Sequence, residues 1–376
     1  MTQAFRPARI LILNERDPKH PKMGGAEIHV TEIFGRLARR GHSVIHLAAG
    51  FESGADVEVV DDVEVRRLGG LARYYPRSVL ETRRLTKRGE VDVVVECLNK
   101  VPWYSPAWSA KPVLALCHHL FGEVAFQQVA WPIAAGVWTL ERGIPSLYRR
   151  CPFIAISESS RDDLVRRGIP AEQVVVSHPG IDRPSLVVDT SAPRAQKVIF
   201  VGRLEVYKKV DVMLRAMKKL EARFPDAEIV IIGRGTATTD LEALAEELGL
   251  ARRTRFTGFV SNEERDRLLG EARVCVFPSE KEGWGLTVIE ANAMGTPVVA
   301  TDADGLRDSV RDGETGFLVP DGDIDAFADR MGRLLDDDAL ATRTSAAALE
   351  WSKQFDWELA ADDMEAAIER ARAAGS

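Results

Sequence analysis

Two glutamates, Glu282 and Glu290, bracket the segment of this chain best suited to hold a ligand: Glu282-Gly283-Trp284-Gly285-Leu286-Thr287-Val288-Ile289-Glu290. An apolar run that ends at Phe277 precedes it, and a helical pattern starts near Leu286. The first amides of a helix have no intrahelical acceptor and favour phosphate oxygens. A carboxylate on each side of them accepts hydrogen bonds from paired sugar or ribose hydroxyls. A second cluster, Gly202-Arg203-Leu204 with Lys208, follows another apolar run. There a planar guanidinium fork and an ammonium point charge suit a diphosphate. A third, Gly24-Gly25-Ala26-Glu27, opens a helix with two residues that let backbone approach a ligand closely. The first apolar run is not followed by GxGxxG and a downstream acid, which speaks against a dinucleotide-dependent dehydrogenase.

Short runs rich in Val and Ile must place these groups. Strands are expected at 9–13, 43–47, 91–96, 112–117, 153–156 and 174–177, then at 197–201, 228–232, 255–257, 274–277, 297–300 and 316–319. Helical patterns lie between them, as at 26–40 and 239–248. Continuous apolar strands alternating with helices imply parallel sheets covered on both faces, with ligands outside the carboxyl ends of the strands. The rhythm restarts after residues 184–196, a stretch without periodicity that reads as a linker. The expected fold is therefore α/β with two Rossmann-like domains, 1–186 and 187–376, and a last helix at 357–374 that could pack back on the first domain.

The 376 residues carry a net charge of only -7, which gives no general attraction to nucleic acid. The balance is uneven, with 25 Lys/Arg against 22 Asp/Glu up to Thr190 and 25 against 35 beyond it. Cys97, Cys117, Cys151 and Cys275 form no CxxC pair, which fits a reducing cytosol. The first residues lack the apolar centre of a signal peptide, and no apolar run is long enough for a spanning helix. Cytoplasmic residence follows as the expectation, with no paired-aspartate metal motif at a strand end. His42, His46 and His178 read as structural, and His20 as a possible border of the site.

With these motifs in place, nearly the whole chain resembles retaining glycosyltransferase family 4, whose fold is GT-B, two Rossmann-like domains facing each other across a cleft. The glutamate string resembles that family's donor signature, and Gly24-Gly25, Gly202-Arg203-Leu204 with Lys208, and Gly233-Arg234-Gly235 fall at its glycine and basic loops. Cys117-His118-His119, residues 155–159 and Pro179-Gly180-Ile181-Asp182 match its pattern in the first domain. The resemblance implies that Glu282 contacts donor-sugar hydroxyls and that amides of Gly283, Trp284, Gly285, Leu286 and Thr287 reach the sugar and diphosphate. It further implies that Glu290 holds the ribose, Arg203 and Lys208 neutralise the diphosphate, and Gly24 and Gly25 close on it. His118 would face the sugar, and the base would lie near Gly258, Phe259 and Val260. No cofactor and no metal are implied. Two departures stand out: Lys209 replaces a usual glycine, and Arg234 and Thr236 replace a usual acid and proline.

On the acceptor side, residues 64–90 hold Arg66, Arg67, Arg73, Arg77, Arg83, Arg84, Lys87 and Arg88 against three glutamates. Arg66, Arg67 and Asn99 are the expected acceptor contacts. Phe121, Phe126, Trp131, Trp138 and Tyr148 follow, residues that suit an interface helix or an acceptor channel. Together they point to a glycan, glycolipid or lipid-linked acceptor and to peripheral docking on the anionic inner face of a membrane. The competing readings are a nucleotide-sugar epimerase-like enzyme and a non-catalytic sugar-nucleotide-binding subunit.

Overall fold

The apolar runs bury completely. Residues 10–13, 93–95, 114–117, 198–200, 274–276 and 298–300 keep no exposed surface, as strands covered on both faces must. The computed structural model describes residues 6–99, 101–120, 122, 131–184, 186 and 188–374. The chain divides into two units, Met1–Gly180 with Asp356–Ser376 and Ile181–Phe355. The division falls at Gly180/Ile181, earlier than the expected 186/187, and the last helix belongs to the first unit.

In the first unit the strands are β1 (Arg9–Leu13), β2 (Ser43–Ala48), β3 (Val57–Val60), β4 (Val63–Arg67), β5 (Val93–Leu98), β6 (Val113–Cys117), β7 (Phe153–Ala155) and β8 (Val174–Val176). Their order is β3-β4-β2-β1-β5-β6-β7-β8, parallel throughout except for the β3–β4 hairpin. The chain leaves β1 toward one side for β2 and returns on the other side with β5, so the loops after β1 and β5 flank a switch point. The Asn99 amide donates to Asn14 Oδ1 at 2.9 Å across these two loops. The helix Trp357–Ala374 lies on the helix Gly25–Arg39, burying Trp357, Met364 and Ile368. Arg40 pairs with Glu358, Asp362 and Glu365 at 2.7, 2.6 and 3.0 Å along the rim.

In the second unit β9 (Lys197–Val201), β10 (Glu228–Ile232), β11 (Thr254–Gly258), β12 (Val274–Phe277), β13 (Val298–Thr301) and β14 (Gly316–Val319) form a sheet of order β11-β10-β9-β12-β13-β14. All pairings are parallel. Its switch point lies between β9 and β12, the two strands that carry the basic loop and the glutamate string.

Every expected strand has a counterpart, and the structure adds the hairpin β3–β4. Val57 and Val59 of that edge are 59% and 68% exposed, so β3 lacks the doubly buried apolar signal that marks the other strands. Phe121 and Phe126 lie outside the described residues. Inside the first unit, Glu96 on β5 is a fully buried carboxylate that organises the following loop. It accepts from the Trp103 and Ser105 amides at 2.7 and 3.1 Å and from the hydroxyls of Ser105 and Tyr148. Burial raises its pKa, and these four donors hold it back.

Glu96→Ala would leave those donors without an acceptor. It is expected to cost about 3 kcal/mol or more in urea denaturation. Glu96→Gln, which keeps one acceptor oxygen, should cost less. A loss below about 1 kcal/mol for the alanine variant would contradict this role.

Candidate active site

At the second unit's switch point, the loop after β9 makes a short turn, Val206–Lys208, and the loop after β12 carries Glu282. The Lys208 ammonium forms an ion pair with the Glu282 carboxylate, the side chains being only 12% and 18% exposed. Tyr207 serves both cations of this loop. Its hydroxyl oxygen accepts from Arg203 Nη2 at 3.0 Å, and the Lys208 Nζ stands 5.2 Å from its ring centre. Its carbonyl accepts from the Glu280 amide at 3.0 Å, which ties the two loops together. Lys209 points elsewhere, to Asp321 at 2.7 Å and Glu280 at 3.7 Å. Lys209 also has φ +48° and ψ +38°, a left-handed conformation that glycine adopts freely and that costs another residue about 1 kcal/mol. That explains why a glycine would suit this position, and it fixes Lys208 as the lysine that faces Glu282.

Backbone contacts seat each of these loops against its outer neighbour, the loop after β10 on one side and the loop after β13 on the other. At Gly233 (φ +133°) a Cβ would stand 1.8 Å from the Gly202 carbonyl oxygen, so no other residue fits without moving the chain. The Leu204 amide donates to the Arg234 carbonyl at 3.0 Å, and the Glu282 amide donates to the Asp304 carbonyl at 3.2 Å. Behind Glu282, the helix Leu286–Ala293 begins after Gly285, with Gly283, Leu286 and Thr287 partly exposed at its start. The Trp284 side chain turns inward, 3% exposed and edge-on to Phe355 at 5.1 Å. Val260 packs on the core. These two residues therefore have mainly their backbone to offer.

Glu290, on the same helix, accepts from Arg265 Nη1 at 2.7 Å, and Arg265 also pairs with Asp266 at 2.8 Å. Burial pushes the Glu290 carboxyl up to about 7; Arg265 opposes this, while Asp266 and Asp182 add to it. Arg265 lies far from Glu290 in sequence, and no spacing rule pairs them.

The first unit places its residues differently from expectation. His118, just past β6, is 2% exposed, and its Nε2 lies 3.1 Å from Nδ1 of His29 on the helix Gly25–Arg39. Burial first, then the neighbouring histidines, holds its pKa well below the usual value, and burial alone takes His29 down to about 3. Both rings are neutral near pH 7, and His118 presents no open face here; His119 is the more exposed of the two. Gly25 has open space around it, and the Gly24 amide donates to the Glu27 carboxylate at 2.7 Å. Arg67 is buried against Asp17 at 2.7 and 2.8 Å, the Ala55 carbonyl at 2.7 Å and Glu58 at 2.5 Å. Arg66 pairs with Glu64 at 2.7 Å and Glu81 at 3.1 Å. Asn99 is buried, bonded to Asn14. These three expected acceptor contacts are engaged internally: the β3–β4 hairpin, the loop after β1 and the helix Leu71–Lys87 supply carboxylates to the two arginines, and the Asn14 side chain accepts from Asn99.

Comparison with known proteins decides the family. Residues 23–183 match Glycosyltransferase Family 4, and residues 188–351 match Glycosyl transferases group 1. The D-inositol 3-phosphate glycosyltransferase of Mycobacterium avium is 32% identical over 386 residues, covering 93% of this chain and 89% of that protein. The protein of that name from Nocardioides sp. is 31% identical, covering 93% and 86%. The chain belongs to the family 4, group 1 glycosyltransferases. In fold, the glycosyltransferase is similar to sucrose-phosphate synthase from Thermosynechococcus elongatus, with a TM-score of 0.80 and 24% identity over 98% of this chain and 100% of that one. It is also similar to Anabaena HepE in complex with UDP-glucose, with a TM-score of 0.75 and 20% identity over 96% and 100%. Its two parallel, helix-covered sheets are the GT-B pair of Rossmann-like domains. Among the described residues, no helix is long and apolar enough to cross a membrane.

Sequence reasoning missed Tyr207, Arg265 and His29 in this glycosyltransferase. Only Tyr207 had a local signal, an aromatic ring beside Lys208. The state of Glu290 has a measurable consequence. Its folded value, about 7, stands above the ordinary 4.5, so its ionisation disfavours the folded state. Stability is untouched below about 4.5, falls as pH rises from there to about 7, and stays lowered above. Glu290→Gln removes this dependence. The variant's melting temperature relative to the parent should therefore be higher at pH 8 than at pH 5, as read by differential scanning calorimetry. An equal or smaller difference at pH 8 would contradict the assignment.

Proposed function

We propose that the glycosyltransferase moves a sugar from a nucleoside diphosphate sugar to an acceptor hydroxyl with retention at the anomeric carbon and without a divalent metal. The observation that carries this reading is the pairing of Lys208 with Glu282 beside the start of the helix Leu286–Ala293. One cation, one carboxylate and a row of helix amides converge at strand ends, matching a diphosphate next to a hydroxyl-bearing ring. In the proposed reaction the bond from C1 to the diphosphate oxygen breaks, and the acceptor oxygen attacks C1 from the same face. Its proton passes to the departing phosphate oxygen. Charge grows on the diphosphate as the bond breaks, and Arg203 and Lys208 gain strength against it in the transition state. Glu282 would orient sugar hydroxyls, Glu290 the ribose, and His118 would approach the sugar after its ring leaves His29.

The proposed acceptor is a glycolipid, lipid-linked or polysaccharide substrate of envelope glycan synthesis, met at an anionic membrane surface. Two helices of the first unit support this. Leu71–Lys87 exposes Arg73, Arg77, Arg83 and Lys87 with Leu71 and Leu80, and Trp131–Glu141 exposes Trp131, Ile133 and Leu140. Apolar and basic side chains exposed together suit a headgroup interface. The names of the relatives favour a second acceptor, an inositol phosphate. Transfer assays with UDP- and GDP-sugars against inositol 3-phosphate and against membrane lipid separate the two.

Arg203→Ala and Lys208→Ala are each expected to lower kcat about 10²–10³-fold, the scale of losing one preorganised charge stabiliser. Lys209→Ala should be milder than Lys208→Ala, and activity should survive EDTA. Equal activity of Arg203→Ala, Lys208→Ala and the parent would place the diphosphate elsewhere. Loss on chelation restored by magnesium would refute the metal-free step. Pelleting with phosphatidylglycerol vesicles should exceed pelleting with neutral ones and fall with salt. Equal pelleting would remove the membrane reading.

A further inference from the structure

Three carboxylates gather around one guanidinium beside the helix Leu286–Ala293. Arg265, on the helix Asn262–Glu271, gives Nε and Nη2 to Asp266 at 2.9 and 2.8 Å and Nη1 to Glu290 Oε1 at 2.7 Å. The side chains of Arg265, Asp266 and Glu290 are only 17%, 16% and 17% exposed. Asp182, from the Pro179-Gly180-Ile181-Asp182 motif, lies near enough to act on both Arg265 and Glu290. The motif resembles a first-domain pattern, yet Asp182 falls in the second unit with the other three. Cys275 on β12 also feels Glu290, as a buried thiol that stays protonated. Further charges on the elements packed around this helix have partners of their own. Glu264 and Glu271 pair with Arg267 on the helix Asn262–Glu271. On the helices Asp338–Ser352 and Leu306–Ser309, Asp338 pairs with Arg273, Glu350 with Lys353 and Arg307 with Asp302.

A stabilising ion pair needs one acid for its cation, and two further carboxylates only add repulsion. Such an excess gathers where a site needs its acid tuned. The fork of Arg265 supplies the aim. With Nε and Nη2 committed to Asp266, the guanidinium cannot turn, and Nη1 meets a single oxygen of Glu290. That bond leaves Oε2 outside the pair. Burial, with Asp266 and Asp182, pushes the Glu290 carboxyl up to about 7, so part of the population carries a proton near neutrality. Ribose hydroxyls donate best to the ionised form, which offers acceptors only. We infer that Arg265 is a positioning residue of the donor site: braced by Asp266, its guanidinium aims the Glu290 carboxylate at the ribose, and donor capture draws a proton from this cluster. The inference rests on the reading of Glu290 as the ribose carboxylate and adds what controls it.

Isothermal titration of the full chain with UDP-glucose and GDP-glucose, run in phosphate and in Tris at pH 7 and pH 8, reads the protons exchanged on binding from the difference between buffers. These sugar nucleotides carry no phosphate proton that titrates in this range. The parent should release about half a proton at pH 7, where Glu290 is half ionised, and less at pH 8. E290Q should release none. R265Q, without the opposing cation, should release more than the parent at pH 8. It should also bind donor about tenfold more weakly, with KM raised and kcat at saturating donor little changed. R265K keeps the charge without the fork, so it should restore the parent's release and only part of its affinity. D182N, at an exposed position, should release less than the parent at pH 7. Proton uptake, no exchange by the parent, or release that E290Q, R265Q and D182N leave unchanged would overturn the inference. Failure of the parent to bind either donor would overturn the donor reading itself, a result distinct from the others.

Discussion

The adjacency of β9 and β12 is the constraint on which the second unit's chemistry depends. The chain leaves β9, builds β10 and β11 on one side, and returns to β9's other edge with β12. Lys208 and Glu282, separated by 74 positions, thereby end on neighbouring loops. Right-handed crossovers carry the connecting segments over opposite faces, so a crevice opens where the two loops part. The Glu280 amide on the Tyr207 carbonyl ties the two loops together, while Gly233 on the Gly202 carbonyl and Glu282 on the Asp304 carbonyl seat each against its outer neighbour.

The charges placed there are already balanced. Lys208 is neutralised by Glu282, Glu290 by Arg265, and Lys209 by Asp321. Leaving a partly buried charge unpaired is costly, so each pair holds its side chains in place at modest net gain. A diphosphate that takes Lys208 as its partner would release Glu282 toward hydroxyls on the same ligand. The exchange keeps each charge compensated, which makes such a site accessible to an anion that also carries a sugar. Arg203 differs: it rests on a tyrosine hydroxyl and faces solvent.

Much of this architecture was legible in the sequence because doubly buried strands write themselves as Val and Ile runs. The strand ends then located the glutamate string and the basic loop. The hairpin β3–β4 was not legible, since Val57 and Val59 of β3 face solvent and Val63 and Val65 of β4, though buried, alternate with charged residues. The engagement of Arg66 and Arg67 by Glu64, Glu81, Asp17 and Glu58 was hidden for the same reason: it depends on that hairpin. His118 was located as a strand-end residue, but its burial against His29 required the register of the helix Gly25–Arg39 over the sheet. Lys209 is the opposite case. The sequence marked only a lysine where glycine is usual, which left the register of the basic loop open, and the left-handed conformation supplies the physical reason for glycine there.

Hydrogen exchange on the full chain, with and without UDP-glucose or a GDP-sugar, tests the central claim most directly, because the ligand is proposed to sit on backbone amides. Saturating donor should slow exchange at residues 283–287 and at the loop 203–208, more than anywhere on the β3–β4 hairpin. Slowed exchange confined to other segments, or unchanged exchange at 283–287 under saturation by either donor, would contradict a donor site at the β9–β12 switch point.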